Sequence, residues 1–359
     1  MNPYIEFIRY SLDESLPPPA SVHCMDWEGL FHFMRRQALL GIGFHGMERL
    51  QGDDVRLPRS LLLEWYALNG RIRQQNILLN RRSAEIVRLL EKEGFRCCIL
   101  KGQGNATMYP APFSRTPGDI DVWVDGSRQE IMAFVRKHFP GTYLRYHHVD
   151  FPIFKDATVE VHFVPSTMNN PLYNGRLRRW FKCNKEGLFN HLACLPGDAG
   201  QIPVPADGFN LIYQLSHLMH HFFDEGIGLR QMTDYYFVLR RAGLRGQEGD
   251  KRTLARELRH LGLYKFAGAV MYVMQEVFGL EEALMVAPVD VRRGRTLMAE
   301  IQKGGNFGQH SGLTEHGTGV KYFLKIRRSL RFVREYPVEA LCEPLFRTWH
   351  FFWRLCHRR

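Results

Sequence analysis

The stretch ILKGQGNATMYPAPFSRTPGDIDVWV, residues 99–124, decides the fold of this chain. In a strand, residues i and i+2 point the same way, so the carboxylates of Asp119 and Asp121 emerge together while Ile120, Val122 and Val124 face a core. Two carboxylates on one face repel each other, and a divalent cation relieves the repulsion. Their pairing therefore points to Mg²⁺ and phosphoryl chemistry. Upstream, the apolar run FRCCIL at 95–100 reads as a strand that ends in a glycine-containing turn, whose backbone N–H groups can face phosphate.

A third carboxylate lies further along. Glu160 and His162 alternate with Val159, Val161 and Phe163, so the polar pair shares one face of a strand predicted to join the same sheet. Glu160 can hold the metal that activates an attacking hydroxyl, or accept its proton; an alternating strand with its polar face in water is the competing reading. His162 either orients Glu160, touches substrate or serves the fold.

These pieces resemble the nucleotidyltransferase superfamily of DNA polymerase beta and, more narrowly, the bacterial family of uncharacterised nucleotidyltransferases. The residues that carry the resemblance are Leu100-Lys101-Gly102, Tyr109-Pro110, Arg115, Gly118-Asp119-Ile120-Asp121-Val122-Trp123-Val124, Val159-Glu160-Val161-His162, and the segments 217–234 and 304–308. The resemblance implies an α+β fold with a small mixed-sheet core. It also implies Mg²⁺ (or Mn²⁺) on Asp119, Asp121 and Glu160, and transfer of a nucleoside monophosphate from an NTP to an acceptor hydroxyl on RNA, protein, a sugar or a small molecule. One departure stands out: the superfamily carries Gly-Ser or Gly-Gly at the phosphate turn, where this chain has Gly102-Gln103 or Gly104-Asn105. Lys101 can substitute a point charge on phosphate, with Gly102 offering its amide and Arg115 reaching the phosphates from the preceding loop. A snorkelling lysine and a solvent-facing loop arginine are the bland alternatives. The missing Gly-Ser keeps open a nucleotide-binding scaffold without turnover, and the basic charge keeps open a nucleic-acid-binding module.

At 359 residues the chain predicts two or three packed units: an N-terminal helical region over 1–93, the nucleotidyltransferase core over 94–165 and a helical domain over 166–359. The excess of 48 Lys+Arg over 37 Asp+Glu, a net +11, favours polyanions or nucleotides without identifying either. Seven cysteines without metal-type spacing, together with the lack of an apolar run of membrane-spanning length, predict a reduced cytoplasmic setting and no membrane partner. The oligomeric state is open.

Pro58 opens a long predicted helix that Gly94 closes. Strands are expected at 95–100, 120–124, 142–148, 151–154 and 158–164, with a helix at 128–139. Helical periodicity returns after Pro165, with Asp207 as the expected N-cap of a helix through 223, then helices near 229–242, 251–261, 264–278, 292–303 and 321–336, and a final aromatic-rich helix after Pro337.

His217, His220, His221 and Asp224 stand at i, i+3, i+4 and i+7 of one helix. The His217/His221 spacing suits zinc, but Leu218 replaces the glutamate of the HExxH pattern, which argues against zinc hydrolysis. This face is expected to line the cleft opposite the sheet with Arg230 and Asp234 of the next helix; interhelical hydrogen bonding is the alternative. The run 304–308, GGNFG, has neither a preceding strand nor a P-loop lysine and reads as an interhelical loop.

Overall fold

The structure, a computed structural model, describes residues 2–50, 57–243, 248–309 and 318–356. The chain opens with α1 (Pro3–Leu12), α2 (Trp27–Arg36) and α3 (Leu40–Glu48). In α2 the apolar stripe Trp27, Leu30, Phe31 and Met34 is buried, and the Asp26 carboxylate caps the Gly29 N–H. Helix α4 (Arg59–Lys92) follows Pro58 and stops where Gly94 takes a φ of +84°, a conformation that favours a residue without Cβ.

The sheet comprises β1 (Arg96–Ile99), β2 (Ile120–Asp125), β3 (His148–Asp150) and β4 (Val159–His162) in the order β1-β2-β4-β3. β2 runs parallel to β4, while β1 and β3 are antiparallel to their neighbours, so the sheet is mixed. α5 (Gln103–Ala106) lies between β1 and β2, and α6 (Arg128–His138) follows β2 behind a Ser127/Glu130 capping box. Period-2 alternation splits the sheet into two faces. Cys97, Ile99, Ile120, Val122, Val124, Val149, Val159 and Val161 form one core with Leu79, Ile86, Val87 and Leu90 of α4 and Ile131, Phe134 and Val135 of α6. On the other face Cys98, Leu100 and Trp123 join a second core, in which Trp123 stacks on Phe209.

That second core is helical. It draws on α7 (Pro171–Cys183), α8 (Asp207–Asp224), α9 (Leu229–Ala242), α10 (Glu248–His260), α11 (Tyr264–Val273, continued by a π turn) and α12 (Val291–Gly304). The first helices share it: Arg9 donates to the carbonyls of Gln275, Glu276 and Val277, and Gln37 donates to that of Ile301. α13 (Thr318–Leu330) and α14 (Pro337–Cys356) close the described chain. Among the described residues no helix is long and apolar enough to cross a membrane.

Three expectations are corrected. The strands expected at 142–148 and 151–154 reduce to β3 plus an isolated bridge from Leu144 to Val149, because the Arg145 N–H bonds to the His148 carbonyl and turns the chain back on itself. Pro152 lacks the N–H that would extend β3 along β4. Asp207 is the first residue of α8, not its cap, and its carboxylate pairs with Arg241. A hairpin of β5 (Leu192–Cys194) and β6 (Gln201–Pro203) interrupts the region read as wholly helical.

Candidate active site

The register of the sheet assembles the site. Across the parallel pair Asp121 stands opposite Glu160 and Trp123 opposite His162; across the antiparallel pair His148 stands opposite His162 and Asp150 opposite Glu160. Alternation therefore puts Asp121, Glu160, His162, His148 and Asp150 on one face while the valines between them fill the core behind. Asp119 sits half-buried just ahead of β2.

Asp121 is the most enclosed of the acids, 2% exposed. His162 Nε2 lies 3.0 Å from its Oδ1, and Lys101 Nζ lies 3.2 Å from its Oδ2. Burial pushes the Asp121 carboxyl up, but the Lys101 charge and the His162 hydrogen bond outweigh it and hold the group well below the usual carboxylate range. Asp119 behaves oppositely: the Asp121 charge, helped by burial, raises it. The aspartate pair thus shows the separation expected of like charges on one face. His162 Nε2 also lies 3.5 Å from Glu160 Oε2. Against the pull of burial, its bonds to Asp121 and Glu160 lift the imidazole to about 9. Glu160 is lowered, because the His162 hydrogen bond and the His148 charge overcome its burial.

Lys101 follows β1 by two residues and turns inward. Its Nζ donates to His217 Nε2 at 2.9 Å, joining the sheet to α8. Burial opposes its charge, yet Asp121, Asp119 and Glu160 together raise its pKa. His217 is driven well below its ordinary value by burial and by the Lys101 charge, so it is a neutral acceptor. Gly102 follows at φ +57°. Gln103 turns away from the cleft and donates to the Asn80 side chain and the Asn76 carbonyl.

The cleft between sheet and helices is lined by Lys101, Gly102, Asp119, Asp121, His217 and Arg230, among others. It brings Asp119 and Asp121 together with His217, Arg230 and Asp234, while Glu160, His162 and His221 are not among its lining residues. His221 stands behind His217, Nε2 to Nε2 at 3.0 Å, with its Nδ1 on Glu225. Arg115 is buried, 1% exposed, and forms a two-bond pair with Asp234, both contacts 2.7 Å; Tyr109 Oη donates to the same carboxylate at 2.7 Å. One guanidinium nitrogen of Arg115, Nη1, remains buried without a hydrogen bond. Gly118 leaves room for Arg230, whose Nη2 would lie 3.3 Å from a Cβ there.

Three groups in the site escaped the sequence reading. Asn105 and Gln214 exchange amide hydrogen bonds in the cleft wall. Phe307 projects from the 304–308 run into the cleft, its ring 5.1 Å from that of His221. The signal was the glycines facing it: a Cβ on Gly228 would approach Asn306 Cα to 2.8 Å, and one on Gly226 would approach Gly308 Cα to 3.1 Å. His148 and Asp150 complete the third group; the alternation of His148, Val149 and Asp150 carried that information.

Ligand atoms of Asp121, Glu160 and His162 lie within 4.8 Å of one another, as do those of His148, Asp150 and Glu160. Asp119 belongs to neither group but borders the cleft beside Asp121. Asp121 Oδ2 is buried and faces the Lys101 ammonium at 3.2 Å, and hard carboxylate donors of this kind suit Mg²⁺ or Mn²⁺.

The profile of a family described as uncharacterised nucleotidyltransferase matches residues 23–279. The match spans both strands that carry the acids and ends before the 304–308 run. No curated protein matches the chain. Among solved structures, the chain is similar to an antigenic nucleotidyltransferase-like protein from Paracoccidioides brasiliensis at 11% identity and a TM-score of 0.35, over 60% of this chain and 96% of that one.

Proposed function

The chain belongs to the uncharacterised nucleotidyltransferase family, and from that premise we propose that it moves a nucleoside monophosphate from an NTP to an acceptor hydroxyl in a Mg²⁺- or Mn²⁺-dependent reaction. The observation that carries this reading is the parallel register setting Asp121 against Glu160, with Asp119 two residues ahead on the same side. Asp119, Asp121 and Glu160 would hold the cation. When bound, it would neutralise phosphate charge and polarise the reacting phosphoryl group.

The residues around it take distinct parts. The acceptor oxygen attacks the α-phosphorus, the bond to pyrophosphate breaks, and the hydroxyl proton passes to Glu160. His162 orients Glu160 and Asp121 through one ring nitrogen. Lys101, Arg230, the free Nη1 of Arg115 and the Gly102 amide offer positive charge and donors to the phosphates. In this account 94–165 handles metal and nucleotide, 166–359 supplies the facing wall and 1–93 supports both. The acceptor is RNA, a protein, a sugar or a small molecule, met in the cytoplasm.

The inward turn of Gln103 favours a second reading, a nucleotide-binding protein without turnover, because no side-chain hydroxyl follows Gly102. Incubation with each NTP, Mg²⁺ and a cell extract, followed by mass analysis, separates the two. Release of pyrophosphate with a nucleotide-sized mass gain on an acceptor supports transfer; NTP binding without either supports the scaffold.

A further inference from the structure

Behind the carboxylates lies a group of imidazoles of which nucleotide transfer uses one nitrogen, the Nε2 of His162. Ligand atoms of His147, His148 and His162 lie within 4.8 Å of one another. The ring centroids are 4.5 Å apart for His147 and His148, 5.3 Å for His148 and His162, and 5.5 Å for His147 and His162. His148 and His162 are 8% and 3% exposed, so their ring nitrogens cannot rely on bulk water.

The two buried rings share one arrangement. His162 turns Nε2 to Asp121 Oδ1 at 3.0 Å, and its Nδ1 is buried with no hydrogen-bond partner. His148 turns Nε2 to Glu160 and Asp150, 3.6 Å from each, and its Nδ1 is likewise buried and unpartnered. Buried polar atoms left without partners call for an explanation. A carboxylate on one nitrogen and nothing on the other is how a metal-ligating histidine is held, since the carboxylate fixes the ring and leaves a lone pair on the far side. His147 supplies a third imidazole, with a ring nitrogen within 4.8 Å of those of the other two. His220 on α8 stands next to it, ring centroids 5.9 Å apart, and its Nδ1 is also buried and unpartnered.

We infer that His147, His148 and His162 form a binding site for a divalent transition-metal cation of the Zn²⁺ class, separate from the oxygen-lined Mg²⁺ site and back to back with it through the His162 ring. Imidazole donors select Zn²⁺, Co²⁺, Ni²⁺ or Cu²⁺, whereas the carboxylates on the other side suit Mg²⁺. Binding displaces the proton from His162 Nδ1 to solvent and leaves the Nε2–H on Asp121. The ion would tie β3 to β4 and fix the ring that orients both catalytic acids. The site stands whether or not the protein transfers nucleotides.

The test is a titration of the metal-free full-length protein with Co²⁺ alone, in excess Mg²⁺, followed by visible absorption. The expected result is one Co²⁺ per chain with the intense bands of a nitrogen-rich site of low coordination number, displaced by Zn²⁺. His147→Ala and, as a milder change, His147→Gln should weaken binding beyond the 10–100-fold typical of losing an outer-shell partner, while Asp119→Asn leaves it in place. Weak octahedral bands in the wild-type protein, displacement by Mg²⁺, binding undiminished in both His147 variants, or binding lost in Asp119→Asn would each overturn the assignment. The wild-type spectrum decides the matter even if a variant fails to fold.

Discussion

Asp121 and Glu160 face each other across the one parallel strand pair of the sheet, and His162 Nε2 lies within 3.5 Å of both, 3.0 Å from Asp121 and 3.5 Å from Glu160. Two acids from segments about forty residues apart in sequence are thereby set on one face without the help of a flexible loop. A rigid scaffold of this kind lets acids hold a fixed geometry in a cleft.

Mg²⁺ should raise NTP affinity in the wild-type protein and fail to do so in Asp121→Asn, because the variant removes the charge of the most enclosed acid. Calorimetric titrations with and without Mg²⁺ check this. Equal enhancement in both proteins would remove Asp121 from the metal site.

Glu160→Gln should keep most of the NTP affinity while lowering transfer by roughly two or more orders of magnitude, the scale of a positioned base. The matched readouts are nucleotide binding and single-turnover rate. A wild-type rate would take Glu160 out of the nucleophile side.

The Arg115–Asp234 pair should matter for stability. Asp234→Asn leaves a guanidinium buried at 1% exposure without its counter-charge, a change that costs about 3–5 kcal/mol. Denaturant unfolding measures it, and a loss well under 1 kcal/mol would mean that Arg115 finds another partner.

Glu339 gives a pH signature far from the cleft. Burial pushes its carboxyl up to about 7, although the Asn169 and Asn170 N–H groups oppose the shift. A folded value above the unfolded one, 4.5, means that its stabilising contribution is complete below about pH 4.5 and lost as pH rises through 7. Wild-type stability should therefore decline between pH 5 and 8 relative to Glu339→Gln, by an amount on the order of 3 kcal/mol. Parallel Tm profiles for the two proteins would contradict this.

Much of this was legible in the sequence because local alternation carried it. Strand β2 and its aspartates, the Glu160/His162 face and the stripe of α2 each follow a period that a few residues suffice to show. Long-range partners were not legible. Nothing local says that Arg115 meets Asp234, that Lys101 bonds His217, or that Gln103 turns inward to Asn80, since each depends on how distant elements pack. Phe307 was missed for the same reason: its place in the cleft follows from the close backbone approach at Gly226 and Gly228, some eighty residues earlier. The strand expected over 142–148 failed because the turn at Arg145 outweighed a plausible β-composition.

The central claim is that a nucleoside monophosphate leaves an NTP for an acceptor with the carboxylates of this cleft in charge. Two labelling reactions with Mg²⁺ and cell extract test it most directly, one with NTP labelled at the α-phosphate and one with the label at the γ-phosphate, each run with the wild-type protein and with Asp121→Asn. The account predicts stable label on an acceptor from the α-phosphate only, with the γ-label recovered as pyrophosphate, and neither product from the variant. Transfer of the γ-label, or equal α-labelling by Asp121→Asn, would contradict it.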